Sequence, residues 1–126
     1  MTIEHKKDIL RSVREYLTNE GFEEIMTDLD DSKKPKKIVE EQTGNIYQPD
    51  LVALDDGSSH IFQIVHPDNL IGKSDRFIRE CSIFERHAAA KNGKLYLIVP
   101  IQYFEKTIGL INNNNLENIG ILQISN

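Results

Sequence analysis

The sequence has little of several features that mark particular classes of protein. It contains no tryptophan and a single cysteine, Cys81, which excludes an internal disulfide and a zinc site built from several cysteines. Its longest apolar run, residues 95–101, is far shorter than the roughly 20 residues that span a bilayer. Residues 1–8 lack the apolar core of a signal peptide. We therefore expect a cytoplasmic protein that does not associate with a membrane.

Positive charge is also in short supply. The chain has 15 lysines and arginines against 20 aspartates and glutamates, and its formal net charge is −5. This balance argues against a protein whose whole surface binds phosphates, although a local basic groove stays compatible with it. The 126 residues, of which 39% are hydrophobic and 28% charged, fit one globular domain over residues 1–126.

Apolar periodicity predicts the order of the secondary structure. Helical spacing predicts helices over 2–20, 74–91 and 102–111, the second with Ser74 as N-cap. Strands are predicted over 22–29, 46–54, 60–66, 95–100 and 119–124, whereas 38–43 fits either a strand or a helix. The Asp55-Asp56-Gly57 turn predicts that the second and third strands form a β-hairpin. The order αβββαβαβ therefore predicts an α/β fold, with a mixed central sheet that contains an antiparallel hairpin and is flanked by helices.

Two polar residues interrupt apolar strand faces in this hairpin. Asp50 shares a face with the apolar residues that follow it at alternate positions, and Gln63 shares one with Ile61 and Val65. A buried carboxylate or amide without a partner destabilises the fold, by about 1–3 kcal/mol for an amide. Asp50 and Gln63 on adjacent strands therefore predict a shared polar site.

The chain resembles the PD-(D/E)XK nuclease superfamily, which has the restriction-endonuclease-like fold. Pro49-Asp50 corresponds to the Pro-Asp that opens the second strand in that superfamily, and Gln63-Ile64-Val65 lies where a carboxylate, any residue and a lysine are expected. The order of elements over residues 2–100 agrees with that resemblance. Such nucleases bind a divalent cation through oxygen ligands, which stabilises developing charge and lowers the pKa of the attacking water.

By this resemblance, Asp50 and Gln63 would be metal ligands for Mg²⁺ or Mn²⁺, and Val65 would occupy the lysine position. Gln63 supplies only a neutral carbonyl, and valine cannot activate water. A displaced Lys73 or Glu80 could supply the missing groups, and Glu80 belongs to a polar stripe with Arg76 and His87. The alternative is that these charges are solvated or paired with one another.

Two further groups of residues are weaker candidates. Many members of the superfamily carry a metal-facing glutamate on the first helix, a position for which Glu20 is the best match, although it also fits an exposed helix end. The basic segment of residues 33–37 could contact nucleic-acid phosphates, or could be a solvated loop whose charge the neighbouring acids balance. Its lysines are Lys33, Lys34, Lys36 and Lys37.

Three functions follow from these expectations. The leading one is a restriction-endonuclease-like domain with an eroded metal site, inactive or weakly active, that binds nucleic acid, DNA or RNA, or a protein. The first alternative is an active Mg²⁺-dependent nuclease that uses Asp50, Gln63 and a displaced Lys73 or Glu80. The second alternative is a small α/β protein-interaction domain unrelated to nucleases, which could form a homodimer.

Overall fold

The computed structural model describes residues 2–125, which form three helices and seven strands. The helices are α1 (Ile3–Asn19), α2 (Ser74–Ala89) and α3 (Phe104–Asn113). The strands are β1 (Glu24–Thr27), β2 (Ile38–Val39), β3 (Ile46–Tyr47), β4 (Leu51–Asp55), β5 (Ser58–Ile64), β6 (Leu95–Pro100) and β7 (Ile119–Ile124). None of the helices within residues 2–125 combines the length and apolar character that crossing a membrane requires.

Five strands form one mixed sheet in the order β1-β4-β5-β6-β7. The pairs β1/β4 and β4/β5 are antiparallel, whereas β5/β6 and β6/β7 are parallel. The parallel pairs follow from the chain order, because α2 and α3 each cross over between consecutive strands. The prediction of an α/β fold with a mixed sheet and an antiparallel hairpin is confirmed.

Local sequence signals account for the hairpin and for the ends of α1. Asp56 and Gly57 both have positive φ, 45° and 85°, as the tight turn between β4 and β5 requires. The Thr2 side chain accepts a hydrogen bond from the His5 N–H at the start of α1. Gly21, with a φ of 94°, follows the end of that helix.

Several predicted boundaries are wrong. The strand expected over 46–54 is divided into β3 and β4, and Pro49, which has no N–H for a strand ladder, lies in the gap. The undecided segment 38–43 supplies β2, which pairs with β3 in a separate antiparallel hairpin. Ser74 is the first residue of α2 rather than its N-cap, a position that Lys73 holds without a side-chain hydrogen bond. A 3₁₀ turn, Ile101–Tyr103, delays the start of α3.

Helices cover both faces of the sheet, so the core has two parts. Leu51 and Ala53 of β4 point towards α1, and the alternate residue Val52 packs on the opposite side. α1 contributes four buried residues to its side: Ile9, Leu10, Val13 and Leu17. α2 packs against β5 and β6 on the other side, and α3 packs against β6. Asp50 and Gln63 are buried polar residues that belong to neither apolar part.

Candidate functional site

Asp50 and Gln63 are joined by direct hydrogen bonds at one end of the β4/β5 pair. The Asp50 N–H donates to Gln63 Oε1 at 2.9 Å, and the Ile64 N–H donates to Asp50 Oδ2, also at 2.9 Å. The first bond continues the β4/β5 register, because Leu51 pairs with Phe62 and Asp50 precedes Leu51. Both residues are buried, with Asp50 as a whole 4% and Gln63 9% exposed. The shared polar site that the sequence predicts is present.

Lys6 of α1 supplies a cation to this site. Its Nζ atom lies 2.7 Å from Asp50 Oδ1, and its side chain is 40% exposed whereas that of Asp50 is 6% exposed. The ion pair therefore has one end in the protein interior and the other at the surface. Because the ammonium engages Oδ1 and the Ile64 N–H engages Oδ2, both carboxylate oxygens of Asp50 have partners.

Glu80 of α2 completes the group. Gln63 Nε2 donates to Glu80 Oε1 at 3.4 Å, so the amide of Gln63 links the backbone N–H of Asp50 to the carboxylate of Glu80. We refer to Lys6, Asp50, Gln63 and Glu80 as the Asp50 cluster. The cluster lines a cavity of about 250 Å³, to which Ile64, His66 and Asn69 also contribute.

The two carboxylates of the Asp50 cluster are both harder to ionise than in water. Burial raises the pKa of Asp50 above its ordinary value, although the Lys6 ammonium acts in the opposite direction. Burial also raises the pKa of Glu80, and the negative charge of Asp50 adds to that increase. The charge of Lys6 favours ionisation of both acids, and that of Arg76 favours ionisation of Glu80, but burial outweighs them.

The hydrogen bonds of the Asp50 cluster leave few oxygens for a metal ion. Gln63 Oε1 already accepts from the backbone, and both Asp50 oxygens are engaged. Within residues 2–125, no buried side-chain nitrogen or oxygen lacks a hydrogen-bond partner. No group of three or more histidine, cysteine, aspartate or glutamate side chains in the same range is placed to hold a metal. In this arrangement the residues do not fit the Mg²⁺ or Mn²⁺ that the resemblance implies, because a hard cation is held through carboxylate oxygens and neither oxygen of Asp50 is free.

The other predicted residues differ in their distance from the cluster. Glu20 is the C-cap of α1, 14 residues after Lys6, so about 21 Å of helix separates it from Lys6, the α1 residue that pairs with Asp50. It therefore does not join the site, because Lys6, near the opposite end of α1, is the residue that lies beside Asp50. Lys73 lies closer and lines a neighbouring cavity with Arg76 and Glu80. His87 lines a different cavity.

Val65, at the position expected to carry lysine, is a core residue. It is fully buried, at 0% exposure, and belongs to the apolar cluster that includes Phe77 and Phe84 of α2. A charged side chain at this position would have to leave its charge in an apolar core. Valine at this position thus fits the apolar packing of this side of the sheet.

The lysine segment is largely neutralised by neighbouring acids. Lys33 Nζ lies 3.7 Å from Glu24, and Lys34 Nζ lies 3.4 Å from Asp28. All four lysines are exposed, and within residues 2–125 Lys36 and Lys37 form no ion pair, so a phosphate contact at this segment would depend on these two.

Lys6 is the cluster residue that the sequence analysis missed. The buried residues Leu10, Val13 and Leu17 are spaced by three and four positions, and Lys6 lies four positions before Leu10. It therefore continues the buried stripe of α1 by one turn. A charged residue in line with an apolar stripe indicates a buried partner, and that signal was available in the sequence.

Comparison with known proteins leaves the chain without a demonstrated family. The sequence matches no protein-family model, and neither a curated protein nor a solved structure matches the chain.

Proposed function

We propose that this chain is a restriction-endonuclease-like domain whose metal site is eroded, inactive or weakly active in hydrolysis, and that it acts by binding nucleic acid. The element order supports the proposal: a helix, an antiparallel group of strands, a crossover helix and a parallel strand. A second support is the meeting of Pro49-Asp50 and Gln63 at one end of the sheet. The binding experiment below distinguishes nucleic acid from a protein partner.

The observation that carries the proposal is the ion pair between Lys6 and Asp50. The ammonium lies 2.7 Å from the carboxylate that would be the first metal ligand. A divalent cation would have to displace this charge and would meet strong repulsion while Lys6 stays in place. It would also have to break the hydrogen bond by which Gln63 Oε1 accepts from Asp50. The Lys6 ammonium, which serves as an internal cation for Asp50, therefore stabilises the fold and opposes metal binding.

The first experiment measures cleavage. Purified protein is incubated with labelled single- and double-stranded DNA and RNA in the presence of Mg²⁺ or Mn²⁺, and the products are resolved on a denaturing gel. We expect no cleavage above that of Asp50→Asn. Asp55→Asn is the matched control, because Asp55 is exposed at the far end of the same strand. Cleavage that Asp50→Asn abolishes and Asp55→Asn retains would refute the eroded site.

The second experiment measures binding. The same nucleic acids are tested by gel mobility at low and high salt, and we expect a shift that weakens as salt rises, because phosphate contacts are screened. No shift at low salt would refute nucleic-acid binding and favour a protein partner or a homodimer. Sedimentation of the chain alone then separates these two.

The third experiment tests the internal cation directly. Titration calorimetry with Mn²⁺ should give no measurable heat for the wild type, whereas Lys6→Met, which frees Asp50, should gain affinity. Lys7→Met is the control, because Lys7 lies next to Lys6 but pairs only with exposed acids. Equal Mn²⁺ binding by the wild type and Lys6→Met would contradict the proposed role of Lys6.

A metal-dependent nuclease is the second candidate, and one observation favours it. Lys6 and Glu80 bring a lysine and a second carboxylate to the same small cavity as Asp50. Burial raises the pKa values of both acids, and carboxylates with perturbed pKa values in a cavity are typical of functional sites. Metal-dependent cleavage lost in both Asp50→Asn and Lys6→Met would establish this candidate.

A further inference from the structure

A second and larger cavity lies on the α2 side of the sheet and shares no lining residue with the cavity of the Asp50 cluster. Its volume is about 530 Å³, within the usual range for small-molecule sites. Its floor includes Met26, Val52 and Ile61, which are direct cross-strand neighbours on β1, β4 and β5. Leu54 extends the same face towards the hairpin turn. The floor is thus a continuous apolar row across three strands.

The floor is open because the helices of this side are packed elsewhere. α2 packs against β5 and β6, and α3 packs against β6. Ile38 of the β2/β3 hairpin and the lysine segment before it line the cavity beside the outer strands β1 and β4. Val52 and Leu54 are consequently half-buried, although the alternate residues Leu51 and Ala53 of the same strand are fully buried under α1.

The rim of this cavity is basic in a protein that is acidic overall. Four lysines line it, against one carboxylate, Glu24: Lys33, Lys34, Lys36 and Lys91. Glu24 pairs with Lys33, and Asp28 pairs with Lys34. In the part of the chain that the structure describes, Lys36 and Lys91 form no such ion pair. Two lysine charges therefore stand free at the edge of an apolar surface.

His87 of α2 also lines this cavity, and its pKa responds to burial and to the positive charge of Lys91. Burial lowers its pKa, and the charge of Lys91 lowers it further. The neutral imidazole is therefore favoured at neutral pH and leaves the charge of the rim to the lysines.

We propose that this cavity binds a small amphipathic anion, with a flat apolar body on the strand floor and a carboxylate or similar group between Lys36 and Lys91. Burial of the apolar body would contribute most of the affinity, because the hydrophobic effect scales with the apolar area removed from water. The lysines would select the anion over its neutral analogue. A nucleic-acid backbone fits this site less well, since a phosphate chain would leave the apolar floor uncovered.

The test uses three probes that separate charge from apolar area. 2-Naphthoate carries both, 2-naphthamide has the apolar body alone, and acetate has the charge alone. Binding is followed by amide chemical shifts in an NMR titration of the full chain. We expect 2-naphthoate to saturate and to shift the amides of Met26, Val52 and Leu54. Its affinity should exceed that of 2-naphthamide by about ten-fold or more and fall with added salt. Acetate should not bind.

Charge reversal provides the matched variants. Lys36→Glu/Lys91→Glu should lower the affinity for 2-naphthoate by about ten-fold or more, while its affinity for 2-naphthamide stays unchanged. Both lysines are exposed, so the double variant should fold, which its NMR spectrum verifies. Lys106→Glu, on the exposed surface of α3, should bind 2-naphthoate like the wild type.

Several results would overturn the proposal. These are no saturation with 2-naphthoate, equal affinity for the amide, or no loss in the double variant. Stronger shifts of the same amides by a single-stranded oligonucleotide would assign the cavity to nucleic acid. Cleavage and metal binding at the Asp50 cluster are measured separately, so this site can fail without affecting the proposed function.

Discussion

Replacing Lys6 by methionine tests the central feature of the Asp50 cluster. Methionine retains an unbranched, apolar stem with a similar helix propensity, so the change removes the ammonium with little effect on α1. Asp50 would then keep its Ile64 hydrogen bond but lose its only cation at 2.7 Å. The variant asks how much that cation stabilises the fold.

The expected loss in free energy of unfolding lies between the values for an exposed and for a buried ion pair. Exposed ion pairs contribute about 0–1 kcal/mol, whereas removing one partner of a buried pair costs about 3–5 kcal/mol. The Asp50 side chain is 6% exposed and that of Lys6 is 40% exposed, so the pair is neither exposed nor fully buried. We expect Lys6→Met to lower the free energy of unfolding by about 2 kcal/mol. For a domain of this size, that corresponds to a fall in Tm of about 5–10 °C.

The pH dependence gives the prediction a second readout. The folded-state pKa of Asp50 is already raised by burial, and removing Lys6 raises it further. An acid with a raised folded-state pKa loses stability as pH rises through the shifted range. The deficit of Lys6→Met should therefore be largest at neutral pH and shrink on acidification, as Asp50 becomes protonated.

The assay is urea unfolding followed by circular dichroism, since the chain has no tryptophan for fluorescence. Lys7→Met is the control: its partners Glu4 and Asp30 have side chains 78% and 93% exposed, so it should lose less than about 0.5 kcal/mol. Equal stability losses for the two variants, or a Lys6→Met deficit that does not change with pH, would refute the reasoning.

Three further predictions concern other parts of the chain. Burial and the Asp50 charge raise the pKa of Glu80 above its ordinary 4.5, so Glu80→Gln should raise the free energy of unfolding at neutral pH. This stabilisation should vanish below pH 4.5, where the wild-type acid is protonated in both states. A stabilisation in urea unfolding that does not change with pH would contradict this reasoning. Gly93→Ala would place Cβ on the Ser59 carbonyl and should lower the free energy of unfolding by about 3 kcal/mol. Gly109→Ala, in open space on α3, should instead raise it by about 0.5–1 kcal/mol. Similar Tm values for the two variants would be evidence against the Gly93 packing. Burial raises the pKa of the Cys81 thiol, so iodoacetamide should modify it in urea but not in the native protein, as mass spectrometry would show.

Much of the fold could be predicted because its signals are local. Three examples are the apolar stripe of α1, the Asp56-Gly57 turn and the apolar run of β6. Each of these signals is formed by residues that are close to one another in the sequence. The boundaries that were wrong depend on more distant partners. Ile38–Val39 becomes a strand only because Ile46–Tyr47 returns beside it, and neither pair has a periodicity long enough to predict pairing.

The site was predictable only where strand alternation determined it. Asp50 and Gln63 were expected to meet because each interrupts an apolar face of adjacent hairpin strands, and they are hydrogen-bonded in the structure. Glu80 was one of two candidates on or before α2, and only the packing of α2 on β5 distinguishes it from Lys73. On α1 the resemblance indicates Glu20 as the residue that faces the site, but the end of that helix near Asp50 carries Lys6.

The sequence by itself therefore determined the helices, most strands and the polar pair at Asp50 and Gln63, because spacing along the chain sets which face each side chain takes. Only the tertiary structure decided that a lysine from α1 pairs with Asp50, that Val65 belongs to the core, and that β1 and β4 carry an open apolar floor beneath two lysines. These features arise where elements distant in sequence pack together. Their energies depend on burial and on distances between charges, which local sequence patterns do not specify.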